Sequence, residues 1–213
     1  MINILVCGTG SFARELYCWI KHSEVKQNLR FKGFLDKDNK SLASFGLEGY
    51  YLGEEDAYTP ADNDFYLIAT ANVDVREAIY KKLKNKNYNF YNYIHDSVII
   101  GGDVIFGEAN IICPNSVLTS DIKIGNCNIF NINTTIGHDA IIGSFNTFSS
   151  HCDVTGQVSI MNNNFFGSRV SLLPKCKIGS YNKIAAGSVV YKGAKNNSIY
   201  LGNPARRVSN NNA

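Results

Sequence analysis

The stretch from Ile124 to Phe148, IGNCNIFNINTTIGHDAIIGSFNTF, places an apolar residue at Ile124, Phe130, Ile136, Ile142 and Phe148, one in every six. The register continues without a break outward on both sides. It runs back through Leu118, Ile112 and Phe106 to Ile100, and forward through Val154, Ile160, Phe166, Leu172, Ile178 and Ile184 to Val190. A period of six matches neither the ~3.6 of a helix nor a two-residue strand alternation interrupted by irregular turns, and it is the signature of a parallel β-helix. Three hexapeptides make one triangular coil of about 18 residues, so the stretch supplies roughly five coils.

The other registers of the hexapeptide agree with a closed coil. Glycine follows the apolar residue at Gly101, Gly107, Gly125, Gly137, Gly143, Gly167 and Gly179, where backbone must bend beside a neighbouring coil. Four residues after the apolar position stand compact side chains such as Asn110, Ser116, Asn128, Thr134, Ala140, Asn146, Cys152 and Asn164, with no Lys, Glu or aromatic among them. These two registers point inward. The position two after the apolar residue falls at a corner and holds mostly Ser, Asn, Gly or Pro.

Ahead of the solenoid the pattern changes to alternating strand and helix. Ile2 to Cys7 is an apolar strand ending in Gly8-Thr9-Gly10-Ser11, and Phe12 to Lys21 continues as a helix. Phe31 to Leu35 is a second strand with Asp36 at its end, and Phe65 to Ala69 is a third. Asp74 to Lys84 has helical spacing at Val75, Ala78, Ile79 and Leu83, and Tyr88 to Ser97 reads as the entry into the first coil. Strands separated by helices pair in parallel. The fold class is therefore an α/β half-Rossmann domain with a three-stranded parallel sheet, followed by an all-β helix. Residues 1–92 form the first domain and 93–213 the second.

Composition narrows the function classes. The chain has 213 residues, enough for one domain of about 90 residues plus the solenoid, against a soft prior of ~150 residues per domain. Its net charge of +3 is small and its 21 basic residues are scattered, which argues against nucleic acid as a partner. No apolar run reaches the ~18 residues of a membrane span, and Met1 leads straight into a strand with no charged leader, so the expectation is a cytoplasmic protein without membrane insertion. Among the six cysteines, Cys152 and Cys176 occupy the inward register, Cys7 closes a strand and Cys18 lies on a helix. There is no CxxC pair and no metal-type Cys/His spacing, so buried thiols are expected and no metal.

Two features carry chemistry. The Gly8-x-Gly10-x-x-Ala13 turn lets backbone amides approach a phosphate at the positive end of the helix that follows, and Asp36 can accept hydrogen bonds from a ribose or base. Three strands are half of a dinucleotide-binding sheet, so a mononucleotide group fits better than NAD, and a turn needed only for packing is the plain alternative. The second feature is His138, the one histidine in the corner register, where the equivalent positions are Ser120 and Gly156 one coil away and Pro174 two coils on. An imidazole is suited to take a proton at neutral pH, and the carboxylate of Asp139 stands beside it. An exposed corner histidine without a duty is the bland alternative. His151 is either substrate-side or merely exposed, and nothing around His22 or His95 suggests chemistry.

These residues together resemble a known family. Cys7-Gly8-Thr9-Gly10-Ser11-Phe12-Ala13-Arg14-Glu15, Ile68-Ala69-Thr70-Ala71-Asn72 with Arg76 after it, Asn133 to Asp139, and Leu201-Gly202-Asn203-Pro204-Ala205-Arg206 are similar to the hexapeptide-repeat sugar acyltransferases, which include sialic acid O-acetyltransferases and nucleotide-linked amino-sugar N-acetyltransferases. The resemblance covers nearly the whole chain. It implies a left-handed β-helix, a homotrimer, acetyl-CoA as donor and a site between subunits with His138 as general base and Asp139 beside it. By position it assigns nucleotide-sugar contacts to Gly10, Ser11, Phe12, Asp36, Lys37 and Thr70, a further substrate contact to Asn131, and CoA contacts to Thr147, Gly156, Ser168 and Ala186. Amino-sugar acetyltransferases of this kind commonly carry His where this chain has Phe12, an acidic residue at Lys37, Gly at Thr70 and His at Thr147. The expected activity is acetylation of the amino group of a nucleotide-linked 4-amino-4,6-dideoxy sugar in bacterial surface-glycan biosynthesis. O-acetylation of a sialic acid or another sugar hydroxyl, and a non-catalytic solenoid that binds a nucleotide sugar, are the alternatives.

Overall fold

The structure, a computed structural model, describes residues 1–211; the end of the expected second domain, 212 and 213, lies outside the described residues. Two compact units divide the chain, Met1–Tyr93 and the remainder from Ile94.

The first unit is a parallel sheet with helices. Strands β1 (Ile2–Cys7), β2 (Leu29–Leu35), β3 (Asp64–Ile68) and β4 (Asn89–Phe90) lie in the order β2-β1-β3-β4, all parallel. Ile4, Leu5, Val6 and Cys7 are all fully buried, as the unbroken apolar run of a strand covered on both faces requires. Helix α1 (Ser11–Gln27) buries Ala13, Leu16 and Ile20 on one stripe and ends at Asn28, whose left-handed conformation (φ 54) lets its N–H reach the last carbonyls. After the short α2 (Lys40–Ala43), helix α3 (Val73–Asn85) starts at Asn72, whose side chain accepts from the N–H groups of Asp74 and Val75 at 3.1 Å each.

One expectation for this unit needs correction. Asn89–Phe90 adds a fourth strand, drawn from the stretch taken as the entry to the first coil; two residues are too few to show a period. On α3 the residues facing the core are Arg76, Tyr80 and Leu83, while Val75 is 46% exposed. Of the residues read at helical spacing, Leu83 faces the core and Val75, Ala78 and Ile79 line a cleft.

The second unit is a parallel β-helix. Two-residue strands stack in three sheets with partners 18 residues apart, as in Phe130 beside Ile112 and Phe148, or Ile136 beside Leu118 and Val154. The sixth-residue register fills the interior from Ile112 to Val190, and Phe130, Phe148 and Phe166 stack face to face with centroids 4.9 and 4.7 Å apart. Asn110, Asn128, Asn146, Asn164 and Asn182 form a buried ladder in which each side-chain oxygen accepts the backbone and amide N–H of the next asparagine. Buried amides are thereby satisfied by their own copies one coil away. A final hairpin, Ser198–Gly202 with Ala205–Asn210, pairs antiparallel on the last coil and presents an exposed edge carrying Arg206 and Arg207.

The corners explain the glycine register differently from the sequence expectation. A Cβ on Gly137 would stand 2.7 Å from Gly156 N, so glycine is needed there for close approach of coils and not for its bend. The left-handed residue falls two positions later, at Asp139 (φ 59), and is taken along the solenoid by residues as different as Asn133, Phe145 and Arg169.

Candidate active site

The carboxyl ends of β1, β2 and β3 open into a cleft of about 420 Å³ within the first unit. Its walls include Gly8, Thr9, Gly10, Asp36, Lys37, Glu55, Thr70, Val75, Ala78, Ile79 and Lys82. Ligand crevices of open parallel sheets form at this edge. Gly10 precedes α1 without any side chain capping the helix, which leaves the first-turn amides available to an anion.

Of the six residues assigned to a nucleotide sugar, Gly10, Asp36, Lys37 and Thr70 line the cleft and Ser11 and Phe12 do not. Ser11 is exposed with Oγ at 3.3 Å from Arg14 Nη2, and the Phe12 ring packs edge-on against Trp19 at 6.4 Å. Asp36 is turned inward on its own chain. Its Oδ2 accepts from the N–H and hydroxyl of Thr9 at 2.9 and 2.8 Å, and Oδ1 accepts the N–H of Lys37 at 2.7 Å. The Thr9 carbonyl is held in turn by Arg14 and by the Ser41 hydroxyl, so the turn is braced from both sides. On the opposite wall the buried Arg76 donates to the Thr70 carbonyl at 2.6 Å and fixes the loop before α3.

Thr9, Glu55 and the α3 face including Lys82 were not singled out as site residues. The α3 face had a signal, because Val75, Ala78, Ile79 and Lys82 stand at i, i+3, i+4 and i+7. Glu55 lies in a loop without a motif. Lys82 bonds Asp56 at 2.7 Å and Glu55 at 3.2 Å; the Asp56 carboxylate raises its pKa above the ordinary lysine value against a smaller effect of burial.

In the second unit His138 and Asp139 occupy one corner turn, both largely exposed, with His138 Nδ1 at 2.7 Å from Asp139 Oδ2. A neutral ring that donates Nδ1–H to this carboxylate keeps its lone pair on Nε2. One coil on, in the same corner column, stands Gly156. A Cβ there would lie 2.5 Å from Nε2, so the imidazole rests over a residue that has no side chain. The backbone runs true beneath it, with Gln157 N–H donating to the His138 carbonyl at 2.8 Å.

The remaining assigned positions are spread over the solenoid. Asn131 uses Oδ1 to accept the N–H of Ile132 at 2.7 Å and stiffens a different corner. Thr147 sits in a strand and is 4% exposed. Ser168 and Ala186 share an exposed corner column, linked by the Gly187 N–H to the Ser168 carbonyl at 2.8 Å. His151 is exposed with Nε2 3.4 Å from Asn133 Nδ2. Cys152 and Cys176 are buried as expected, and burial pushes the Cys152 thiol up to about 12. Among the described residues no group of three or more His, Cys, Asp or Glu is placed to hold a metal ion, and no helix is long and apolar enough to cross a membrane.

Residues 157–192 match the family described as bacterial transferase hexapeptide (six repeats). Hexapeptide repeats of that family thus occupy this part of the second unit, and the whole chain shares its fold with several solved structures. Among solved structures it is 27% identical to WeeI from Acinetobacter baumannii AYE over 98% of this chain and 100% of that one, with a TM-score of 0.85. PerB from Caulobacter crescentus, in complex with CoA and GDP-perosamine, shares the fold at 20% identity over 97% of each chain (TM-score 0.85). So does the acetyltransferase domain of PglB from Neisseria gonorrhoeae FA1090, in complex with acetyl coenzyme A, at 18% identity over 97% of this chain and 98% of that one (TM-score 0.82). Comparison with curated protein sequences gives no match.

Proposed function

We propose that this protein is an acetyl-CoA-dependent acetyltransferase acting on the amino group of a nucleotide-linked 4-amino-4,6-dideoxy sugar in bacterial surface-glycan biosynthesis, working in the cytoplasm as a homotrimer. The observation that carries the reading is the His138 corner: an exposed imidazole braced at Nδ1 by Asp139, with Nε2 over the bare backbone of Gly156. A fold shared along the whole chain with proteins solved with CoA, acetyl-CoA and GDP-perosamine supports the donor and the acceptor class.

His138 Nε2 takes the proton of the sugar amine as nitrogen attacks the thioester carbon, Asp139 holds the ring in the tautomer that can accept it, and the tetrahedral adduct collapses with cleavage of the C–S bond, CoA leaving as a thiol with the proton the imidazolium returns. A positioned base of this kind contributes about 10²- to 10⁴-fold. A backbone amide of the coil serves as donor for the thioester oxygen, since preorganised backbone N–H groups stabilise charge that develops there. Attack is direct, without a covalent enzyme intermediate. The buried Cys152, its thiol pushed up to about 12, holds no thiolate to serve as nucleophile near neutral pH. In the first unit the glycine turn and the open end of α1 bind the diphosphate of the nucleotide, and Lys37 and Thr70 line its path.

Thiol release from acetyl-CoA, followed with UDP-, dTDP- and GDP-linked 4-amino sugars beside free sialic acid, tests the reading. Turnover is expected with a nucleotide-linked amino sugar and not with sialic acid. Release with sialic acid alone would move the activity to O-acetylation, and release with none would leave a binding protein.

A further inference from the structure

The 21 basic residues are scattered along the chain, but the 18 acidic ones are not. Every Asp and Glu falls between Glu15 and Asp153, and residues 154–213 carry eight Lys or Arg with no carboxylate side chain among them. The small net charge of +3 hides this polarity, in which the later coils and the hairpin are wholly cationic and the rest of the chain is net acidic. All eight basic residues are exposed, and among the described residues none of them forms an ion pair. An asymmetry of this kind points to a polyanionic partner for the cationic part.

The charges are spread around the coils and interleaved with apolar groups. Lys177 and Lys183 take outward strand positions in two different sheets, and Arg169 and Lys175 stand at left-handed corner positions (φ 61 and 65). Lys177 and Lys195 line a shallow groove with Met161, and Tyr191, Lys192 and Arg206 line another. On the hairpin Leu201 and Val208 are 53% and 58% exposed. A protein partner rewards one shaped patch, and nucleic acid rewards basic groups with flat aromatics. Aliphatic side chains dispersed through a cationic band suit neither. An anionic bilayer surface rewards both kinds of group without regard to direction, because its negative potential attracts Lys and Arg while Leu, Val and Tyr settle at headgroup level. Coils stack about 4.8 Å apart, so the two coils from Arg169 to the hairpin span about 10 Å, roughly one screening length. A surface met end-on is felt by the whole band.

We infer that the 154–211 end of the solenoid docks on an anionic lipid surface, its Lys and Arg residues at the headgroups and Leu201 and Val208 entering the interface. The contact is peripheral and independent of the acetyl-transfer reading, since it uses neither the His138 corner nor the cleft of the first unit.

Co-sedimentation of the full chain with vesicles of phosphatidylcholine alone, and of phosphatidylcholine with phosphatidylglycerol, tests the inference. Binding is expected only to the second kind and is lost in high salt, which shortens the screening length. Lys192→Gln combined with Lys195→Gln should weaken it about twenty-fivefold, at about fivefold for each basic residue near the surface, and Val208→Asn about threefold, with melting temperatures unchanged. Equal binding to both vesicles or binding to neither overturns the inference, as does a double variant that binds like its parent. Loss of vesicle binding on saturation with CoA overturns it by assigning the charges to the phosphates of that ligand. An oligonucleotide that binds more tightly than the vesicles and is indifferent to Val208→Asn overturns it in favour of nucleic acid.

Discussion

At the residue scale the account turns on His138 and what lies above it. The dipeptide His138-Asp139 was legible because a six-residue period lets every corner be compared, and only one corner in that register holds a histidine. The role of Gly156 was not legible. Read along the chain it is one more small corner residue, assigned to CoA by resemblance; only the stacking of coils sets its α-carbon against Nε2. Gly156→Ala keeps an ordinary backbone conformation, and the atoms nearest the added methyl are those of the movable His138 ring, so thermal stability should change little. The ring must shift, and misplacing a catalytic group by about 1 Å costs up to about a hundredfold. Steady-state kinetics on Gly156→Ala should show kcat reduced by about ten- to a hundredfold with an unchanged melting temperature; kcat within twofold of the parent would show that Gly156 does not set the position of the base.

At the scale of elements, the β-helix was readable because strand, corner and interior recur at fixed spacing, and each register reports the same environment many times. Helix α3 was readable as a helix but not by face: of the residues at helical spacing Leu83 joins Tyr80 and Arg76 in the core, while Val75, Ala78 and Ile79 line the cleft. A stripe that lines a ligand cleft and a stripe that packs on a sheet have the same spacing. The strand ends show a further dependence that spacing cannot carry. Asp64, at the start of β3, accepts from Asn3 on β1, Lys32 on β2, Tyr58 and the Ala61 N–H. Burial works to raise its carboxyl, but the Lys32 ammonium and the three other donors outweigh it and hold the pKa below the ordinary aspartate value. A lowered folded pKa contributes stability that is complete above the unfolded value of ~3.9 and is lost as pH falls through it toward the folded one. Asp64→Asn should therefore cost about 3 kcal/mol in urea unfolding at pH 7, with the gap to the parent closing below about pH 4. An equal gap at both pH values would mean that the carboxylate charge is not what ties the three strands.

For the whole molecule, two kinds of site are housed in two units of one chain. The first offers a glycine turn and an apolar wall along one cleft; the second offers an exposed imidazole over a bare backbone. The small net charge of +3 fits a small-molecule enzyme better than a nucleic-acid binder. Fold similarity spans 97–98% of the chain against WeeI, PerB and the PglB domain, so the pairing of these units is a property of the whole sequence and not of the repeats alone. What the sequence left open is the acceptor. Side chains that select a sugar are few, come from loops and follow no period. The central claim is that His138 is the base of acetyl transfer, and the direct measurement is thiol release from acetyl-CoA by His138→Ala, with CoA affinity measured on the same preparation. Turnover should fall by at least about a hundredfold while CoA binds as before, because a base acts on the transition state more than on ground-state affinity; activity above about a tenth of the parent would remove His138 from the mechanism.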